Sequence, residues 1–520
     1  MAESGFWLRR SLPRDSFASI VRCVSPMKRI FSSRVFPLAV GLGLRLLFVV
    51  PFPATSGDTV LYEQIATNWL KHHVYAMDVH GALTPVDMRM PGYPAFLALI
   101  YALTGRTGES ARLWVMLAQI LVDLLGCLVI ARLARILTCA SENEAQGERA
   151  YAFALWLAAV CPFTANYTAV PLTEVFACFW TALACSVLVV ALQRVKKPGF
   201  LLSSSYVPGV RSVEYAALGA GLIAGMGALF RPETPLVLVT AAIVLGVLLF
   251  RLGQFARWCL ATVAMIVGCL VVLSPWALRN LLTFHEVQFL NPKYSTLPGE
   301  LVPYGFMAWE RTWLYRVRDC YLVPWKLDEE AIQVDDIPSR AFDSPAEKER
   351  VRDILEQYNE DLTLGKEEDD ALGQIARERV RRHPLRIFLW IPLARALAIW
   401  FTPRIELLPI SGNVFPLGEM YDEDPADQGF TILFFFLNVA YLGLGAWGAG
   451  RLWRAGSAVR PVVAFLVLYM LLRTAFLTTL ETPEPRYVLE CFPALIALGA
   501  AAIVGGRGGD ETQRSSAGSG

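Results

Sequence analysis

Apolar residues gather into long runs along this chain, broken by short polar turns and by two extended polar stretches. The runs lie near 35–52, 111–137, 150–166, 170–192, 214–230, 233–250, 257–277, 430–450, 459–479 and 486–505. Most are about 17–25 residues long, the length with which a helix crosses roughly 30 Å of hydrocarbon. The pattern predicts an all-α polytopic membrane protein with about 10–12 transmembrane helices. One further apolar segment, 386–402 (RIFLWIPLARALAIW), upsets the alternation of the polar loops. It reads as an interfacial or re-entrant helix whose Arg386 and Arg395 snorkel toward headgroups.

The positive-inside rule orients the spans. Seven basic residues between Arg9 and Arg34 precede the first run and place the N-terminus in the cytoplasm. Loops with Arg132, Arg135 and Arg149, with Arg194, Lys196, Lys197 and Arg211, and with Arg251 and Arg257 follow on the same side. The first run lacks a small-residue cleavage site, so it reads as an anchor rather than a signal peptide. Met27, followed by Lys-Arg, is an alternative start that would make residues 1–26 dispensable. The expected organisation is a basic cytoplasmic N-terminus (1–34), a transmembrane core (35–277) with a first outside loop at 53–110, an outside loop region (278–385), a C-terminal transmembrane region (386–505) and a disordered tail (506–520).

Composition narrows the class. Of 520 residues, 55% are hydrophobic and 18% charged, with a mean hydropathy of +0.44, too apolar for a soluble chain of this size. The net charge of +1 lacks the basic footprint of a nucleic-acid partner. Cys127, Cys178, Cys185, Cys259 and Cys269 lie inside apolar runs and read as small buried hydrophobes, while Cys320 sits in a loop with no evident partner. In the second polar stretch, 27 of the 59 residues at 326–384 are charged. Residues 345–362 there read as a helix with Pro345 in its first turn. A second helix over 371–383 carries Arg377, Arg379, Arg381 and Arg382, as a solvated face or as contacts to phosphate headgroups.

The chemistry concentrates at the outside ends of the spans. The first outside loop opens SGDTVLYEQIATNWLKHHVYA, with Asp58 where the chain leaves the membrane. Asp58 either caps a helix over Thr59–Leu70 or acts as a general base. The loop closes DMRMPGYPAFLALIYALTG, where Asp87 and Arg89 precede a tight Pro91-Gly92-Tyr93-Pro94 turn into an aromatic helix. Four arginines stand at outside ends: Arg231 in LFRPETP, Arg279 in PWALRN, Arg395 in the interfacial helix and Arg486 in ETPEPRY. An arginine beside a span is costly unless paired or wet, and its planar fork suits a phosphate. Each alone can be a headgroup anchor; four on the side of Asp58 point to a shared anionic ligand. Glu484 and Tyr487 flank Arg486 and can orient it. Glu174 in AVPLTEVF and Glu233 in FRPETP are further outside carboxylates that can equally satisfy helix N-termini. His72, His73, His80, His285 and His383 show no metal-ligand spacing.

These pieces resemble the GT-C superfamily of membrane glycosyltransferases, which use polyprenyl-phosphate sugars and include protein mannosyltransferases and the aminoarabinose transferases of lipid A. The resemblance is strong over 56–104, recognisable over 170–180, 274–290 and 483–499, and faint over 290–385. It implies Asp58 as the catalytic carboxylate, Tyr62 at the family's spacing, Arg89 facing the active cavity, and Arg486-Tyr487 as the pair that opens the last span. Many relatives carry Asp-Glu where this chain has Asp58-Thr59. The implied partners are a polyprenyl-phosphate-linked sugar donor, membrane lipid, and a protein, lipid or glycan acceptor. Some relatives bind a divalent ion; no cofactor or metal is assigned here. The implied reaction is inverting transfer to a hydroxyl outside the cytoplasm, at the inner or plasma membrane. The other class considered, a lipid or sugar transporter or flippase, fits poorly, since charges gather at one face and no repeat is visible.

Overall fold

The computed structural model describes residues 34–138, 144–195, 212–292, 294, 300–410, 412, 414 and 424–504. The basic N-terminus through residue 33, the segment 196–211 and the Gly/Ser tail lie outside the described residues.

Every apolar run folds as helix. Among the described residues, six segments are long and apolar enough to cross a bilayer: Gly108–Thr138, Glu174–Val195, Phe255–Phe284, Pro425–Ala455, Arg460–Leu477 and Pro485–Val504. A seventh is broken, Glu144–Ala159 and Pro162–Ala169 meeting at 51°. Pro162 lacks the N–H that would continue the ladder, so the chain restarts there. Val35–Val49, Val213–Ala228 and Leu236–Arg251 are shorter apolar helices.

Lipid gives helices no hydrophobic reason to associate, so close backbone contact must hold them. Gly221 and Gly225 supply it against Phe255–Phe284: a Cβ on Gly221 would come within 2.2 Å of the Met265 carbonyl oxygen. A buried ion pair joins three other helices. Arg45 donates through Nε to Asp123 Oδ2 at 2.6 Å and through Nη1 to the Ala159 carbonyl at 2.6 Å. An arginine in a span is tolerable only when paired in this way.

The first outside loop is a small folded unit. Ser56 caps the Gly57–His72 helix in an extended conformation (φ −128°, ψ 165°), and its N–H donates to Thr59 Oγ1 at 3.2 Å. The helix buries Thr59, Tyr62, Glu63, Ile65 and Ala66, a stripe at helical spacing. Arg112 clamps Glu63 with two bonds of 2.8 and 2.9 Å, tying this helix to the next span. A two-stranded antiparallel hairpin follows, Ala76–Val79 against Ala82–Pro85, with Ala76 facing Pro85 and Val79 facing Ala82. Its turn residues, His80 (φ 52°) and Gly81 (φ 82°), both take the left-handed conformation of a two-residue hairpin turn. Gly92 opens the Gly92–Thr104 helix and is a true close approach: its N–H donates to the Leu229 carbonyl at 2.7 Å, and a Cβ would lie 2.6 Å from that oxygen.

The second polar stretch has its own core, built on Phe306, Trp309, Trp313, Leu355, Tyr358 and Ile375. Its helices include Pro345–Asp361 and Lys366–Arg382, the second starting earlier than the sequence indicates. The row of arginines on that helix is not uniformly solvated. Arg379 is fully buried, donating to Glu347 Oε1 at 2.5 Å, the Ala341 carbonyl at 2.8 Å and Thr312 Oγ1 at 2.8 Å. Segment 386–402 forms a π turn, Arg386–Trp390, and a helix of ten residues, Ile391–Trp400. The two run on without a break, so residues 384–400 reach about 25 Å, most of a bilayer core. Arg395 does not snorkel, being buried among carbonyls, whereas Arg386 stays partly exposed and pairs with Asp343 at 2.7 Å.

Candidate active site

Asp58 occupies the first turn of its helix, but Ser56 is the cap residue. The Asp58 carboxylate is therefore free for other partners. Oδ1 accepts from Arg89 Nη2 at 2.7 Å and Oδ2 from Arg486 Nη2 at 3.1 Å. Burial pushes the Asp58 pKa up, yet the charges and hydrogen bonds of the two guanidiniums outweigh it and hold the group below its usual value. Asp58 is thus an ionised acceptor at neutral pH.

Two separated segments deliver its neighbours. Arg89 arrives on the strap between the hairpin and the Gly92 turn, its carbonyl accepting from Tyr75 Oη at 2.8 Å. Arg486 stands at the start of the last span, which begins as a 3₁₀ turn over Pro485–Cys491. Arg404 props that turn, donating to the Pro485 carbonyl at 2.8 Å from a left-handed backbone (φ 58°). Arg486 also pairs through Nε with Glu484 at 2.5 Å, and Tyr487 Oη donates to the same carboxylate at 2.7 Å.

Arg231 comes from the turn between two short spans. It pairs with Glu174, donates to Glu233 Oε1 at 3.3 Å and Thr173 Oγ1 at 3.2 Å, and lies 4.7 Å over the Tyr487 ring. Burial raises the Glu233 pKa, but Arg231 and then Arg473 prevail and lower it. Deeper still, Arg473 Nη2 donates to Glu490 Oε1 at 2.6 Å and Glu233 Oε1 at 3.3 Å. These alternating charges form one continuous network.

Above the network lies a cavity of about 960 Å³, lined by Asp58, Tyr62, Arg89, Arg231, Glu233, Glu484, Arg486 and Tyr487. Tyr62 is a wall: burial, then the Asp58 charge, push its phenol up to about 12, and its ring meets Tyr93 edge-on at 5.0 Å. Glu174 sits beneath, on Arg231. The remaining candidates lie outside the lining. Arg279 donates to the Tyr75 carbonyl at 2.8 Å and packs on the Tyr75, Trp276 and Phe284 rings. It therefore positions the hairpin that holds Arg89. Arg395 bonds the Leu314 carbonyl at 2.7 Å and the Leu480 carbonyl at 2.8 Å, fastening the loop unit to the segment before Glu484. Asp87 lies near Arg279, its carboxyl pushed up by burial.

The cavity also includes residues that the sequence did not single out, among them Tyr321, Trp325, Glu329 and Glu406. Arg473 was detectable as a lone charge within an apolar run. Among the described residues, no cluster of three or more His, Cys, Asp or Glu side chains could hold a metal ion.

No family model matches the chain, and no curated protein sequence matches it. Solved structures do. The archaeal oligosaccharyltransferase AglB from Archaeoglobus fulgidus, in complex with an inhibitory peptide and a dolichol-phosphate, is similar at 14% identity over 93% of this chain and 51% of that one, with a TM-score of 0.45. This chain thus spans about half the length of that enzyme. ArnT from Cupriavidus metallidurans, bound to undecaprenyl phosphate, is similar at 14% identity over 90% of this chain and 77% of that one, with a TM-score of 0.36.

Proposed function

We propose that this chain is an integral membrane glycosyltransferase. It moves a sugar from a polyprenyl-phosphate donor to an acceptor hydroxyl on the extracytoplasmic face, with inversion at the anomeric carbon. The observation that carries the reading is Asp58: released from capping by Ser56 and bound on each oxygen by a different arginine.

In this reaction the acceptor oxygen attacks C1 of the sugar as the bond from C1 to the phosphate oxygen breaks. The bonding pair leaves with the polyprenyl phosphate, and the acceptor proton goes to Asp58. The donor phosphodiester carries one negative charge and the leaving monoester gains a second. Guanidinium contacts from Arg89 and Arg486 therefore strengthen as the bond breaks, which is the form of binding that accelerates a reaction. No acid is needed, because phosphate leaves without a proton. Arg231, held by Glu174 and Glu233, keeps the floor positive beneath the leaving group. The membrane ends of the lining segments at Ser56, Thr173, Arg231 and Arg486 let a donor keep its tail among the spans while its phosphate reaches the cavity.

The test is transfer of radiolabelled sugar from a polyprenyl-phosphate donor into an acceptor fraction by purified protein in proteoliposomes. Asp58→Asn should lower the rate by at least about a hundredfold, the scale of a lost general base. Equal rates in both proteins would refute Asp58 as the base. Label crossing the bilayer without transfer would favour a transporter instead.

A further inference from the structure

The transfer chemistry leaves one part of the cavity wall unused. It is contributed by the loop unit, where burial alternates sharply along 320–325. Cys320 and Val323 are fully buried, whereas Tyr321 is 54% and Trp325 39% exposed. Both aromatic rings line the cavity. They meet edge-on with centroids 4.4 Å apart and planes at 84°, so each presents a face that the other does not cover.

The segment that carries them is rigid. The Leu322 N–H donates to the Asp319 carbonyl at 3.2 Å and the Lys326 N–H to the Val323 carbonyl at 3.1 Å. Asp319 is paired with Arg340, and Tyr358 Oη donates to the Lys326 carbonyl at 3.2 Å. Exposed aromatics on so fixed a frame are an arranged surface, because burying them in the adjacent core would have been the favourable alternative.

Two carboxylates, Glu329 and Glu406, line the same cavity. Burial, then the charges of Glu406 and Glu484, push the Tyr321 phenol up, which places its hydroxyl within the field of the cavity floor and keeps it a donor. This combination discriminates among ligand chemistries. A phosphate is better served by Arg89 and Arg486 elsewhere in the cavity, and an acyl or prenyl chain gains nothing from the two glutamates. A sugar ring satisfies both parts: its C–H face packs on an aromatic ring and its rim hydroxyls donate to carboxylates.

We propose that Tyr321 and Trp325 form a sugar-stacking wall of this cavity, with Glu329 and Glu406 accepting from the hydroxyls of the stacked ring. The assignment rests on the glycosyltransferase reading for its place in a reaction, though not for the binding itself. The stacked ring belongs either to the donor's sugar or to a saccharide acceptor.

The experiment uses the full chain in lipid nanodiscs. Binding of undecaprenyl-phosphate mannose and of bare undecaprenyl phosphate is compared for wild type, Trp325→Ala and Trp325→Phe, alongside saturation-transfer NMR with soluble manno-, gluco- and arabino-oligosaccharides. Loss of one stacked ring should weaken a sugar ligand by about tenfold or more. If Trp325→Ala weakens the sugar-bearing lipid while leaving the bare lipid unchanged, the wall holds the donor's sugar. If both lipids bind as before but saturation transfer to the oligosaccharides is lost, it holds an acceptor's. In either case Trp325→Phe should retain most of the binding. Equal weakening of both lipids, or no change in any ligand, overturns the proposal. Sugar binding that depends on Trp325 in a protein that transfers no label would defeat the transferase reading and leave the wall standing.

Discussion

Arg473 sits fully buried in the Arg460–Leu477 helix, and replacing it with methionine keeps the bulk of the side chain while deleting its charge. Its Nη2 donates to Glu490 Oε1 at 2.6 Å and its Nε to the Tyr487 carbonyl at 2.9 Å. Without it, Glu490 keeps the Thr181 hydroxyl, 2.9 Å from Oε2, and the more distant charge of Arg231. Breaking a buried pair from one side costs about 3–5 kcal/mol, whereas replacing both partners with uncharged groups of similar volume is often near neutral. Glu233 is less affected, because Arg231 still pairs with it. With about 2.1 cal/mol/K of unfolding entropy per residue over 520 residues, 1 kcal/mol shifts Tm by about 1 °C. Arg473→Met should therefore lower Tm by about 3–5 °C, and Arg473→Met with Glu490→Gln by about 1–2 °C. The chain supplies its own reporter. Cys178, Cys185 and Cys491 are buried free thiols, while Cys259 is partly exposed, so a thiol-reactive dye brightens further, beyond the label taken by Cys259, as the bundle opens. A double variant as unstable as the sum of the two single ones would refute the coupling and the network with it.

Other expectations concern the site more directly. Gly92→Ala forces a Cβ against the Leu229 carbonyl and should cost about 1–3 kcal/mol, with transfer reduced because Arg89 lies on the adjoining strap; melting and transfer assays read the two effects. Arg486→Lys loses the planar fork and should raise the donor KM by about tenfold, which initial-rate kinetics would show; an unchanged KM would remove Arg486 from donor binding. The pH response of Asp58 follows from its depressed pKa. Its ion pairs contribute stability that is present above the unfolded-state pKa and is lost as pH falls through the lower folded value. The acid limb of kcat/KM, which reports the free enzyme, should therefore lie below the ordinary carboxylate range, and Arg89→Gln should move it upward; a limb that stays put would show that Arg89 does not set the charge of Asp58.

Much of this architecture can be read from residue pattern, and the exceptions share a physical cause. Asp58 and Arg486 stand out because each interrupts the edge of an apolar run, where charge is expensive. Arg279 and Arg395 carry the same signal yet bond backbone carbonyls outside the cavity; the partner of an arginine is decided by tertiary packing. Arg379 could have been recognised as buried, since it completes a helical stripe with Leu372, Ile375 and Ala376. The hairpin escaped notice because its strands are short and its turn, His80-Gly81, lacks the Asn-Gly or Asp-Gly signature of a two-residue hairpin turn. Tyr321 and Trp325 were hidden in a densely charged loop, where neither periodicity nor an apolar run marks them.

That both oxygens of Asp58 are occupied by guanidiniums has a kinetic consequence. An acceptor that arrives first meets a base with its strongest acceptor sites already engaged, so its proton has nowhere favourable to go. A donor phosphate that draws Arg89 and Arg486 toward itself exchanges one anion for another and uncovers the carboxylate in the same motion. On the proposed reading, turnover is therefore ordered, with the lipid donor leading. Spent polyprenyl phosphate should then inhibit competitively against the donor, and the empty enzyme should be a poor catalyst of sugar loss to water.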